Sequence, residues 1–484
     1  MRFLCAKNGK SVFLATAPLL LAGILAGCTG TEKLPWTALP TQTPTEAAQD
    51  TGTQDDITVS PTEAEGEQTD LTDSSADDKE EVQTPVLRDS VRRDMGGFAG
   101  CAVTGMEVDD PGVWEIVTTH FEAVTIGNEL KPDALFDYSV TNCPGTTTDT
   151  LNGVDMTVPK ISYKRAEKIL DKFLAWNEEN PDKQIKIRGH VLVWHSQTPE
   201  WFFHEDYDKN KPYVSVAEMD RRQEWYIKTV LEHFTGEDSK YKDMFYGWDV
   251  VNEAISDSTG TYRSDNENPN EALSEDRHGS NSSWWHVYQS EDYIINAFKY
   301  ANKYAPADLE LYYNDYNECV GKKKYGILKL LEAIKAQEGA PGEGTRISAM
   351  GMQGHYSMDD PTAVDIQSAI RQYSEVVGKV QLTEVDVRAS ADYDGSEAAK
   401  PAEYEKLKTR YNVIYLSVLN ANKNSDDPVV AGITFWGTVD HYSWLQSRSN
   451  VGGGSTTGLP QCPLLFDEHY EPKPCFYVFA GSDE

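Results

Sequence analysis

Two glutamates end apolar runs of this chain. Glu253 closes Trp248-Asp249-Val250-Val251-Asn252-Glu253, and Glu384 closes Gln381-Leu382-Thr383-Glu384. A carboxylate at the end of a strand, rather than within it, avoids the cost of burying a charge in the core. Two such groups facing one cleft suit glycosidic cleavage, in which one protonates the leaving oxygen and the other attacks carbon or activates water. That division needs one carboxyl protonated beside an ionised one, and their mutual repulsion supplies it. Two structural glutamates at the mouth of a barrel would look the same, so their neighbours matter.

Those neighbours favour a sugar. Trp194, Trp436 and Trp444 offer flat apolar faces, while Asn128, Lys131, His190, Gln197, Asn252 and Gln353 supply hydrogen bonds to hydroxyls. Metal binding is the rival, because Asp, Glu and His also ligate ions. However, His190 and His195 are not spaced as in an HExxH helix, and Asp392-Tyr393-Asp394-Gly395 is too short a match to an EF-hand loop. The expectation is a site without metal or cofactor.

The elements that carry these residues alternate. Strand-like runs cover 98–103, 123–126, 185–193, 245–251, 309–313, 347–352, 379–383 and 430–435. Helical patterns lie between them, such as 164–177, 219–233, 290–303, 326–336, 362–376 and 403–420. Strand followed by helix, eight times over, predicts an α/β protein whose parallel sheet closes into a (β/α)8 TIM barrel. The alternative, a doubly wound open sheet, would place a Gly-rich turn after the first strand, but Gly96-Gly97 precedes it. In a barrel, chemistry belongs at the C-terminal ends of the strands, where the residues above fall. The long loops 139–159 and 256–283 read as polar insertions.

At this point the chain resembles glycoside hydrolase family 10, the endo-β-1,4-xylanases, over residues 86–484. The resemblance rests on Gly189 through Gln197, Trp248 through Ala254, Leu382 through Val387, Ile433 through Trp436 and Asp440 through Trp444, in that order. It implies endo-hydrolysis of xylan and xylo-oligosaccharides with retention, Glu253 serving as general acid/base and Glu384 as nucleophile. Asn252 would bond the 2-hydroxyl of the reacting sugar, and His355 with Asp386 would orient and tune Glu384. Asn128, Lys131, His190, Trp194, Gln197, Gln353, Trp436 and Trp444 would line the glycone side, with Asn314 and Tyr316 toward the aglycone. One departure stands out: where many relatives carry Glu-Asn before the lysine, this chain has Gly127-Asn128, so a carboxylate contact to a more distal glycone sugar is missing.

The rest of the composition frames that domain. The chain has 484 residues, with 44 basic against 78 acidic residues and a formal charge of −34, which excludes a protein that wraps nucleic-acid phosphates. Ten of the eleven Trp and all 25 Tyr follow residue 110, so stacking and packing capacity lie there. Residues 1–27 read as a lipoprotein signal peptide: a basic start (Arg2, Lys7, Lys10), an apolar run too short to span a membrane, and small residues before Cys28, the expected lipidation site. Residues 28–85 read as a disordered tether, since 14 acidic residues stand there against Lys33 and Lys79. The expected setting is extracellular, at the cell surface, with a monomeric catalytic domain held to the membrane by lipid. Of the five later cysteines, Cys462 and Cys475 are the pair expected to bridge.

Overall fold

The computed structural model describes residues 84–264, 282–423, 427–447 and 459–481. The expected leader, Cys28 and the tether as far as residue 83 lie outside the described residues, as do residues 265–281 of the second long loop.

Eight strands form the wall of a closed barrel: β1 (Phe98–Val103), β2 (Ala123–Ile126), β3 (Lys186–Trp194), β4 (Phe245–Asn252), β5 (Glu310–Asp315), β6 (Ala349–Met352), β7 (Lys379–Val387) and β8 (Val430–Phe435). Each pairs in parallel with its sequence neighbour, and β8 closes on β1 with Phe98 opposite Gly432. The strands are buried along almost their whole length, as parallel strands covered on both faces must be. The helices that follow them are α1 (Pro111–His120), α2 (Lys164–Glu179), α3 (Val216–Thr235), α4 (Asp292–Tyr304), α5 (Gly321–Lys335), α6 (Ala363–Val377), α7 (Lys400–Lys423) and α8 (Phe476–Ala480). Helix α2 shows how sequence sets orientation: Ala166, Ile169, Leu170 and Phe173 recur at helical spacing and are buried, leaving lysines and glutamates outward. Helix starts are fixed locally, as at α6, where Thr362 and Asp365 form a reciprocal capping box.

The barrel interior is polar where it nears the site. Arg188 on β3 is fully buried, bonds Asp249 of β4 at 2.5 and 3.0 Å and Gln381 of β7 at 2.8 Å, and lies over the Tyr312 ring of β5 at 3.9 Å. A charge so deep persists only when paired and hydrogen-bonded, and this one ties four strands together inside the barrel.

Three features differ from expectation. Residues 146–159 are not an irregular loop but a hairpin, Thr146–Leu151 against Val154–Pro159, turned at Asn152-Gly153 with both φ angles positive. A helix at Leu87–Met95 precedes β1 and is tied to the end of α8 by the Ser90 hydroxyl on the Ala480 carbonyl, 2.7 Å. Cys462 and Cys475 are both free thiols, so the expected bridge is absent. Instead Lys473 donates to the Cys462 carbonyl at 2.8 Å, and the Cys475 thiol points at the Leu464 carbonyl at 3.6 Å.

Candidate active site

Glu253 follows the last residue of β4 and has a left-handed backbone, φ 55°, which costs a non-glycine residue of order 1 kcal/mol or more. Two bonds hold it there: its N–H donates to the Asn314 carbonyl at 2.9 Å, and its carbonyl accepts from Arg263 at 3.2 Å. The side chain takes two further donors, the Trp194 indole N–H on Oε2 at 2.9 Å and the Gln353 amide on Oε1 at 3.0 Å. Gln353 also donates to Asn252 Oδ1 at 3.2 Å, so one carboxamide sets the spacing of the β4 end against β6.

Glu384 lies within β7, 5% exposed, with its N–H on the Gln353 carbonyl at 2.7 Å. Its Oε1 accepts from Asn314 Nδ2 at 2.7 Å and its Oε2 faces His355 Nε2 at 3.2 Å. His355 Nδ1 meets Asp386 Oδ1 at 2.9 Å, and the Trp444 indole donates to Asp386 Oδ2 at 2.6 Å. Burial by itself would raise Glu384, but the His355 hydrogen bond, the pull of His190 and His355, and the Asn314 amide together hold it below the ordinary carboxylate range. Burial would likewise depress His355, but Asp386 and then Glu384 outweigh it and push the imidazole up to about 10. The result is a cation clamped between two carboxylates, one of which faces the cleft.

Glu253 and Glu384 line one cavity of about 310 Å³ at the C-terminal mouth of the barrel. A larger one, about 730 Å³, opens at the opposite end among Arg92, Lys186, Glu310 and Lys379, remote from both carboxylates.

The other expected residues divide. Lys131, His190, Trp194, Gln197, Asn252, Tyr316, Gln353, His355, Trp436 and Trp444 all line the cleft. Lys131 reaches Gln197 Oε1 at 3.0 Å and Asn128 Oδ1 at 3.1 Å; Asn128 itself is exposed beside the cleft. Asn314, expected toward the aglycone, lies elsewhere: it is fully buried beneath Glu384, receives the Thr383 hydroxyl at 2.6 Å and bonds Asn252 at 3.0 Å. The alternation of β5 turns Tyr312 and Asn314 toward the barrel axis, whereas Tyr316, beyond the strand end, reaches the cleft. Sequence reasoning missed Asp249, which holds His190 Nδ1 at 2.9 Å, although an Asp inside an otherwise apolar strand was a visible signal. It also missed Asn317 and the Asp133 carboxylate that receives Gln197 at 3.2 Å.

Fold and site together define a (β/α)8 barrel with paired carboxylates in an aromatic, hydroxyl-bonding cleft. Residues 87–482 match Glycosyl hydrolase family 10, and the chain belongs to that family. It is 30% identical over 409 residues to Endo-1,4-beta-xylanase Y of Acetivibrio thermocellus, covering 83% of this chain and 33% of that one. It is 31% identical over 363 residues to the bifunctional endo-1,4-beta-xylanase XylA of Ruminococcus flavefaciens, covering 75% and 31%. The chain thus spans about a third of the length of these two relatives. Among solved structures, the N-terminal modules of endo-1,4-beta-D-xylanase 10B of Clostridium thermocellum, in complex with xylohexaose, superpose with a TM-score of 0.63 at 28% identity, covering 82% of this chain and 67% of that one.

Proposed function

We propose that this protein hydrolyses internal β-1,4 bonds of xylan with retention of configuration. The observation that carries this reading is the contrast between two carboxylates in one cleft: Glu384 is clamped by His355 and Asn314 and held in its ionised form, while the Glu253 carboxylate accepts from the neutral Trp194 indole and Gln353 amide. In the first step a Glu384 oxygen attacks the anomeric carbon as Glu253 passes its proton to the departing glycosidic oxygen. In the second, Glu253, now ionised, takes a proton from water, whose oxygen displaces Glu384 from the same carbon. Retention requires the two carboxyls about 5 to 5.5 Å apart. No metal or cofactor enters either step. The names of the relatives and the xylohexaose bound to the Clostridium structure support xylan and xylo-oligosaccharides as the substrates.

In this reading His190, Trp194, Lys131, Gln197, Trp436 and Trp444 hold the glycone, Tyr316 and Asn317 face the aglycone, and Asn252 bonds the 2-hydroxyl. The sequence further supports export behind the leader 1–27, lipidation at Cys28 and a tether over 28–85 that spaces a monomeric catalytic domain from the cell surface. Reducing-sugar release from xylan tests the activity. The wild type is expected to release oligosaccharides and Glu384→Ala to release none, with added azide restoring cleavage and giving the inverted glycosyl azide. A wild type that binds xylan and releases no sugar contradicts the reading.

A further inference from the structure

Lys323 stands in the first turn of α5, 0% exposed, and nothing in the two-carboxylate chemistry uses it. Its ammonium lies 2.9 Å from Asp257 Oδ1, 3.0 Å from Asp315 Oδ1 and 3.5 Å above the centroid of the Tyr316 ring. Asp257 belongs to the loop that leaves Glu253, and Asp315 ends β5. The same Asp257 receives the Tyr316 hydroxyl on one oxygen and the Asn317 amide, at 3.1 Å, on the other. Tyr316 and Asn317 line the cleft beside Glu253.

The groups around the lysine form a closed set. Asp315 receives the Tyr313 hydroxyl at 2.5 Å, and that hydroxyl accepts the Ala254 N–H at 3.0 Å, so the chain just past Glu253 is joined to the same cluster. The loop also packs tightly on α5: a Cβ at Gly326 would stand 2.2 Å from the Gly260 carbonyl oxygen. A buried ammonium is costly unless compensated, and two carboxylates with a ring face compensate it here. Without it, Asp257 loses the charge that keeps it between Tyr316 and Asn317.

We propose that Lys323 is a positioning residue that fixes Tyr316 and Asn317 as the leaving-side wall of the cleft, and so governs binding of the sugars beyond the bond being cut. This rests on the reading of the cleft given under Proposed function. Its consequence is selective. Substrates that draw binding energy from the leaving side depend on Lys323, whereas a substrate with a short, activated leaving group does not.

The test compares Lys323→Met and Asp257→Asn with wild type on xylohexaose and on an aryl β-xylobioside whose phenolate leaves without a proton. On xylohexaose kcat/KM is expected to fall about tenfold or more, chiefly through KM, with the aryl xylobioside changed by less than about twofold. A purely structural role predicts equal losses on both substrates, and that result, or no loss on either, overturns the proposal. Should Lys323→Met not fold, the isosteric Asp257→Asn decides between the same outcomes. A wild type that cuts neither substrate overturns the reading of the cleft, and the proposal with it.

Discussion

Asn314 is the residue on which Glu384 rests, and a glycine makes its place. A Cβ on Gly351 would stand 2.3 Å from Asn314 Oδ1, closer than real Cβ atoms approach, and 3.1 Å from Arg188 Nη2, a tight contact. Gly351→Ala therefore forces the Asn314 amide away from Glu384. Its expected effects are a loss in kcat/KM of about 10²-fold, from misplacement of the reacting oxygen, and about 1–3 kcal/mol of stability from overpacking. Kinetics and urea unfolding of the same preparation read both. His355 gives a pH signature. Its value of about 10 in the fold lies above the ordinary 6.5, so the stability it contributes is complete below pH 6.5 and is lost as pH rises through about 10. Glu384 acts in the opposite sense: its lowered value contributes stability above the ordinary 4.5 that is lost as pH falls. The urea midpoint of wild type should drop between pH 7 and 10 more steeply than that of His355→Gln; parallel slopes would show that the clamp does not form.

At the scale of elements, the segment that carries Trp444 is pinned from the C-terminal side. Asp440 opens a short turn ahead of Trp444, accepts the Leu464 N–H at 2.8 Å and is paired with Lys473 at 2.7 and 3.0 Å, both side chains being buried. Burial pushes the Asp440 carboxyl up and Lys473 pulls it back, leaving it at about 6. Lys473→Met strands that carboxyl, with an expected cost of about 3–5 kcal/mol in chemical denaturation. A loss below about 1 kcal/mol would mean the pair is replaceable.

The barrel strands were legible because both their faces are covered, so they read as apolar runs with turns between them. The boundary of β6 was not: Leu311 N bonds the Ser348 side chain at 3.0 Å, and the strand begins at Ala349, two residues later than the apolar pattern. The hairpin at 146–159 was hidden by composition, since its first strand is mostly exposed threonine, although Asn152-Gly153 between alternating residues is a strong hairpin signal. The place of Asn314 was hidden for a similar reason: at a strand end it reads as cleft lining, whereas strand alternation points it inward. Glu253 was legible because a charged residue at the end of an apolar strand has few places to go; Glu384, expected to close its strand, lies inside β7, which runs on to Val387. The Lys323 and Asp440 pairs were not legible, since each joins residues that only the closed barrel brings together.

For the whole molecule, charge and architecture separate two tasks. Residues 85–484 carry a net −25 and residues 29–84 a net −12, so acidic character runs through both stretches. If lipid at Cys28 holds the protein to a membrane, Cys28→Ser should move it to the soluble fraction and leave turnover of soluble xylo-oligosaccharides unchanged. Retention of the variant in the membrane fraction would place the anchor elsewhere. In the proposed reaction the two carboxylates come from the residue after β4 and from β7, and they are joined by the Gln353 carboxamide and carbonyl.

The most direct measurement is covalent trapping. A 2-deoxy-2-fluoro-β-xylobioside with a dinitrophenolate leaving group slows the second step more than the first, so the glycosyl enzyme accumulates. Peptide mass spectrometry is expected to find one fluoroxylobiosyl group per protein, on the peptide that contains Glu384, with activity lost in proportion. A label on any other carboxylate, or full inactivation of a Glu384→Ala protein that still cuts xylan at the wild-type rate, would contradict the account.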